Sequence, residues 1–232
     1  MTSIAKIIDH SLLQPSLTDA ELEAGCALAR KYGVASVCIK PYAVPLAVEW
    51  LAGSSVAVGT VVGFPHGSQA LETKLYEADL ACRQGAGELD MVVNIGRVLG
   101  GDWGYVEREI GEIVEMAHRH SAITKVIFEN DLLRHDDLKI RLCELCERAK
   151  AEFVKTSTGY GFVKQADGSY NYLGATEHDV RLMRRHLGPQ VQVKAAGGIR
   201  TYEDALKICR AGATRIGTTA TEAIVAGEML AR

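Results

Sequence analysis

Nowhere in the 232 residues do five like charges stand in a row, and 26 basic against 29 acidic side chains leave a formal charge of −3. The basic footprint that phosphate-backbone binding requires is missing, so nucleic acid is not an expected partner. No apolar stretch reaches the roughly 18 to 20 residues that span a bilayer, and the leading MTSIAKIIDH has no charged region followed by an apolar one. No membrane association is expected, and the cytoplasm is the expected location. Cysteine pairs are absent apart from one C-x-x-C, Cys143 and Cys146, which has neither a second pair nor a nearby histidine pair to complete a zinc site. The six cysteines therefore read as free thiols in a reducing compartment. A G-x-G-x-x-G turn is missing altogether. What is present is a globular composition, 47% hydrophobic and 24% charged, which excludes intrinsic disorder. The chain is long enough to bury a core without disulfides or a metal, and one domain over residues 1–232 is expected.

The chain alternates short β-branched runs with apolar residues at three- and four-residue spacing. Eight strands are expected, at residues 7–9, 35–39, 55–62, 88–93, 125–128, 153–155, 191–194 and 215–216. Helical faces lie between them, such as Leu22, Cys26 and Ala29, or Val106, Ile110, Ile113 and Val114. Thr18 with Glu21, and Ser68 with Leu71 and Glu72, carry helix-start signals. Gly33, Gly53, Gly85, Gly188 and Gly212 are expected to close helices. Strict alternation implies parallel strands joined by right-handed crossovers. Eight such units fit an α/β fold of the (β/α)8 TIM barrel type, for which about 250 residues is typical. An open doubly wound sheet is the alternative, but it calls for a Gly-rich turn after the first strand, where DHSLLQPS stands instead.

Along a barrel strand, side chains point in turn to the helices and to the axis. In ELDMVVNIG, Leu89, Met91 and Val93 face outward, which turns Asp90 inward. In EFVKTSTGY, Val154 points out and Lys155 in; in VQVKAAGG, Val191 and Val193 point out while Gln192 and Lys194 point in. A single inward lysine reads equally well as a self-satisfied ion pair. Two lysines sharing one carboxylate are harder to explain as structure. At ~6 Å and an effective dielectric near 20, two ammonium groups repel by roughly 3 kcal/mol, about two pK units. One amine then loses its proton more readily, and its nucleophilic fraction rises about a hundredfold. That is the environment a Schiff-base lysine needs.

Each lysine has glycine at the fourth position after it, Gly159 in TSTG and Gly198 in AAGG. Glycine after a barrel strand lets backbone N–H groups approach an anion, and the loops after the last two strands are the usual phosphate site of this fold. Gly197 and Gly198 occupy the first of those loops; Gly217, Thr218 and Thr219 of IGTTA occupy the second. Taken singly each glycine is a tight turn. Clustered beside two lysines, they point to a phosphorylated substrate.

Through IDHSLL, VCIKP, VGFPHG, ELDMVVNIG, KVIFE, FVKTSTGY, KAAGGIR and RIGT, the sequence resembles the deoxyribose-phosphate aldolases over nearly its whole length. These are class I, Schiff-base aldolases of barrel fold. The resemblance implies reversible cleavage of 2-deoxy-D-ribose 5-phosphate to D-glyceraldehyde 3-phosphate and acetaldehyde, in deoxyribose catabolism. It puts the Schiff base on Lys155, gives Lys194 the task of lowering the Lys155 pKa, and makes Asp90 a proton relay with an ordered water. Asp9 joins that network, and Ser11 and Thr158 lie near substrate hydroxyls. Cleavage beside a carbonyl needs an electron sink, which a protonated imine supplies, so neither metal nor cofactor is implied. Sugar phosphate and aldehydes are the implied partners, and a homo-oligomer, dimer or tetramer, is expected.

The sequence departs from the family pattern in three segments. The loop from Tyr160 to Gly174, YGFVKQADGSYNYLG, is longer and more aromatic, and is expected to reshape the phosphate site or cover the barrel mouth. IGTT stands where IGTS or GASS is usual, and KVIFEND where KVILET is; the latter change has no functional account. Cys38, at a strand end, occupies the position where the family often has cysteine near the pocket. It reads as a small buried hydrophobe or as a thiol open to alkylation by an unsaturated aldehyde. Two functional alternatives stand beside the leading one: an aldolase or transaldolase of another phosphorylated sugar, and an idle barrel that senses a sugar phosphate.

Overall fold

The computed structural model describes residues 3–231, so Met1, Thr2 and Arg232 of the expected 1–232 unit lie outside it. Outward-facing branched side chains alternate with inward polar ones, and eight strands close on themselves accordingly. They are β1 (Ile8–Leu12), β2 (Ser36–Ile39), β3 (Ala57–Val62), β4 (Glu88–Val92), β5 (Ile123–Ile127) and β6 (Phe153–Lys155). A two-stranded antiparallel hairpin follows, β7 (Val163–Lys164) and β8 (Tyr170–Asn171). Then β9 (Gln192–Ala196) and β10 (Arg215–Thr218) complete a parallel barrel that closes between β10 and β1. The fold is the (β/α)8 TIM barrel.

The helices are α1 (Asp19–Tyr32), α2 (Val44–Trp50), α3 (Leu71–Arg83), α4 (Ile95–Leu99) and α5 (Trp103–Arg119). The ring continues with α6 (Asp136–Ala149), α7 (Glu177–Arg185), α8 (Tyr202–Ala211) and α9 (Thr221–Leu230). Val37, Leu89, Met91, Val126, Val154 and Val193 are fully buried between strands and helices. Each such side chain contributes roughly 1.5–3 kcal/mol of burial. No helix among the described residues is long and apolar enough to cross a membrane.

Local signals hold in part. Thr18 and Glu21 form a reciprocal capping box on α1, and Gly33 closes that helix in the left-handed region. Ser68 does not cap α3: Ala70 occupies the N-cap, and the Thr73 and Lys74 amides bond to its carbonyl. Gly188 is not left-handed either, because Arg184 donates to the carbonyls of Leu187, Gly188 and Val191 and ties off the end of α7. Several strands run further toward their C-terminal ends than expected, to Leu12, Ala196 and Thr218.

One buried ion pair outside the barrel axis positions the end of β4. Lys74 of α3 and Glu109 of α5 meet at 2.7 Å with no exposure, and Lys74 also donates to the Val92 carbonyl. The second Glu109 oxygen accepts the Asn94 N–H. All three bonds converge where β4 turns into α4, two residues beyond the last strand position below which Asp90 sits.

Candidate active site

Strand register sets the charged side chains at the axis. Lys155 and Lys194 are direct partners across β6 and β9, and Asp90 is the partner of Lys125 across β4 and β5. Asp90 Oδ2 accepts from Lys155 Nζ at 2.6 Å and from Lys194 Nζ at 2.7 Å, while its Oδ1 accepts from Lys125 Nζ at 2.8 Å. Lys194 also meets Asp9 Oδ2 at 2.5 Å. Below this row Lys125 donates to Glu88 at 2.6 Å, and Arg215 bonds to Asp9 at 2.7 Å. Four basic side chains thus face three carboxylates, so with every group ionised one positive charge at the axis has no counter-ion among them.

That excess charge does not bear equally on the three lysines. Burial pulls the Lys155 amine below the ordinary lysine range; Asp90 opposes the fall and the Lys194 ammonium adds to it. For Lys194 burial acts in the same direction, but Asp9 and Asp90 outweigh it and hold the group above its ordinary value. Lys125 is held higher still, against burial, by Asp9, Asp90 and Glu88. Burial, more than the neighbouring lysine expected from the sequence, is the larger cause of the Lys155 shift. Lys155, 3% exposed, is the amine most ready to react as a free base.

It lies in a cavity of about 380 Å³ at the C-terminal end of the strands. Ser11, Cys38, Thr158 and Gly159 line that cavity with Asp9, Lys155 and Lys194, and so do Gly197, Gly198, Gly217, Thr218 and Thr219. Asp90 lies beneath them, fully buried. Gly197 and Gly198 take φ of +94° and +79°, and a Cβ on Gly197 would stand 2.9 Å from the Gly174 Cα. Gly217 keeps strand geometry, but a Cβ there would meet Lys194 Cε at 3.3 Å. The Thr158 hydroxyl is engaged, donating to Glu129 and accepting the Tyr160 N–H at 2.9 Å. Thr218 donates to the Ile199 carbonyl. Cys38 packs with Leu13 and Val61 in a small apolar cluster, and burial pushes its thiol up to about 11.

Sequence reasoning did not single out Lys125, Glu88 and Arg215, nor the cavity residues Gln14, Tyr160, Tyr172 and Arg200. The Tyr160–Gly174 loop folds as the β7–β8 hairpin. Tyr160 packs edge-on against Phe64, and Tyr172 against Phe162. Asp131 accepts from the Leu173 and Gly174 amides and pins the loop's far end. Outside the cavity, Asp136, His178 and Asp179 have the spacing of metal ligands. The Lys139 ammonium already bridges the two aspartates there, at 2.9 and 2.5 Å.

A family model described as DeoC/LacD family aldolase matches residues 3–227. The deoxyribose-phosphate aldolase of Rhodopirellula baltica is 49% identical over 218 residues, covering 94% of this chain and 86% of that protein. That of Thermococcus gammatolerans is 48% identical over 226 residues, covering 97% and 96%. Among solved structures, the tetrameric deoxyribose phosphate aldolase of Aeropyrum pernix matches with a TM-score of 0.84 at 31% identity, covering 99% of this chain and 92% of that one.

Proposed function

The chain belongs to the DeoC/LacD family of aldolases, and from that premise we propose that it cleaves 2-deoxy-D-ribose 5-phosphate reversibly through an imine on Lys155. The products are D-glyceraldehyde 3-phosphate and acetaldehyde. One observation carries the reading: of the three lysines around Asp90, Lys155 alone is pushed below the ordinary lysine range, and it lines the cavity.

The Lys155 amine adds to the substrate aldehyde, and loss of water gives a protonated imine. That imine draws the electrons of the C2–C3 bond as the C3 hydroxyl gives up its proton, which releases glyceraldehyde 3-phosphate and leaves an enamine. Protonation of the enamine carbon and hydrolysis free acetaldehyde and return the amine. Asp90, already bonded to Lys155, works with water as the base and acid of these transfers. Lys194 stays charged, holds Asp90 and Asp9 in place and disfavours a second positive charge on Lys155.

In the same cavity the positive-φ turn at Gly197 and Gly198, with Arg200 two residues on, supports a phosphate subsite. Thr218 and Thr219 line the same cavity. We read the enzyme as a cytoplasmic, catabolic homo-oligomer; free thiols support the compartment, and the tetrameric Aeropyrum pernix relative supports the assembly. The test is borohydride reduction in the presence of the sugar phosphate or acetaldehyde, followed by peptide mapping. An adduct on Lys155 that disappears in Lys155→Leu is expected; folded protein that yields none with either compound overturns the reading.

A further inference from the structure

A second cavity, of about 580 Å³, lies on the outer side of the hairpin. It is lined by Arg134, Gln165 and Asn171, and by buried Asn130, whose Oδ1 has no hydrogen-bond partner among the described residues. Tyr172 is the one described residue that lines both this cavity and the catalytic one. Its ring lies against the turn read above as the phosphate subsite: a Cβ on Gly197 would stand 3.5 Å from Tyr172 Cε2. The following backbone continues the same wall, since a Cβ on Gly198 would stand 3.5 Å from the Leu173 carbonyl, and Ala175 N–H donates to the Gly197 carbonyl. Resting on the sugar-phosphate reading above, we propose that Tyr172 sets substrate length, confining the site to terminal phosphate monoesters by walling it off from the polar cavity behind.

The wall is held in place from both sides. Phe162 packs edge-on against the Tyr172 ring at 5.2 Å, and Asp131 takes the amides of the next two residues. The phenol oxygen has no hydrogen-bond partner among the described residues, so the ring acts by occupying space and not by bridging elements. Shortening the side chain joins the two cavities just where a substituent on the phosphate would emerge. The space behind is lined by side-chain amides, the Arg134 guanidinium, and the charged or polar groups of Asp131, Lys139, His178 and Asp179, and suits a small uncharged polar arm.

The experiment measures acetaldehyde release from 2-deoxyribose 5-phosphate and from its 2-hydroxyethyl phosphodiester. Tyr172→Ala, and the milder Tyr172→Leu as a guard against misfolding, are expected to raise the diester-to-monoester ratio of kcat/KM by at least about tenfold. Tyr172→Phe keeps the ring and keeps the wild-type ratio. Tyr170→Ala alters an exposed side chain on the same hairpin that lines neither cavity, and it also keeps the ratio. An unchanged ratio in both shortened variants, or an equal rise in Tyr170→Ala, overturns the proposal. Borohydride trapping on Lys155 runs alongside. Wild-type protein that forms no adduct and cleaves neither ester removes the aldolase reading and this proposal together; a trapped adduct with an unmoved ratio removes the Tyr172 assignment alone.

Discussion

Lys155 and Lys194 sit side by side on neighbouring strands and donate to the same atom, Asp90 Oδ2, at 2.6 and 2.7 Å. One carboxylate oxygen therefore serves two ammonium groups. Because Lys194 has Asp9 as a second counter-ion, the shortfall of negative charge falls on Lys155. The asymmetry between two like residues thus comes from the partner that only one of them has.

Removing Lys194 moves the pH profile in a defined direction. The proposed imine step uses free Lys155 amine, so on that reading the rate falls as pH drops through the Lys155 pKa. Lys194→Leu deletes a repulsion of about two pK units at ~6 Å, which raises the Lys155 pKa. The acid limb of kcat/KM then shifts upward by about two pH units and the neutral-pH rate falls about a hundredfold. A pH-rate series on both proteins reads the shift, and an unmoved limb would assign the lowered pKa to burial alone.

Acid stability follows from the two buried aspartates. Burial pushes Asp9 and Asp90 upward, but the lysines around both, and Arg215 beside Asp9, drive them well below the carboxylate range. A depressed folded-state pKa contributes stability that is fully present above the unfolded value of about 3.9, and that is lost as pH falls through the folded one. Urea unfolding is expected to be level in this contribution above about pH 5 and to weaken below about pH 4. Asp9→Asn leaves cations unpaired and costs about 3–5 kcal/mol at pH 7, with a smaller cost at pH 3. A penalty that does not depend on pH would contradict the linkage.

Gly197→Ala tests the turn proposed as the phosphate subsite. Its φ of +94° strains any residue with a Cβ, and that Cβ would stand 2.9 Å from the Gly174 Cα. A stability loss of about 1–3 kcal/mol is expected. KM for 2-deoxyribose 5-phosphate rises while that for unphosphorylated deoxyribose barely moves. Parallel rises for both sugars would put the damage at the imine end instead.

Cys38 is expected to resist alkylation despite facing the cavity. Burial raises its thiol to about 11, which lowers the thiolate fraction at neutral pH by about a hundredfold relative to an ordinary cysteine. Peptide mapping after brief iodoacetamide treatment should find half-buried Cys209 modified first. Labelling of Cys38 at the same rate would restore the reading of it as a reactive thiol.

The barrel was legible because branched residues at alternate positions announce buried strands, and Asp90, Lys155 and Lys194 stood out as charges interrupting that pattern. Lys125, Glu88 and Arg215 carry the same inward parity, yet each lies at or near the start of its run, where a charge reads as a solvent-facing terminus. Strand ends extend past the expected bounds at residues 10–12, 195–196 and 217–218, where polar His10 and Ser11 and the small Ala195, Ala196 and Gly217 interrupt the branched pattern. The hairpin was illegible as structure: two residues per strand give no periodicity, and only its aromatic content marked it. The Ser68 signal failed because a capping residue type was present two positions ahead of the turn that needed it.

The Asp9–Arg215 bond joins residues 206 positions apart in sequence, across the seam where the first strand meets the last. Until that seam forms, the guanidinium has no Asp9 and Asp9 has no guanidinium, so an unfinished barrel carries uncompensated charge on its inner surface. A slip of one residue in β10 would turn Arg215 toward the greasy helix layer. The polar axis therefore proofreads assembly: it rewards the one closure in which the first and last strands arrive in register, and the completed ring is the same object that holds the buried Lys155 amine.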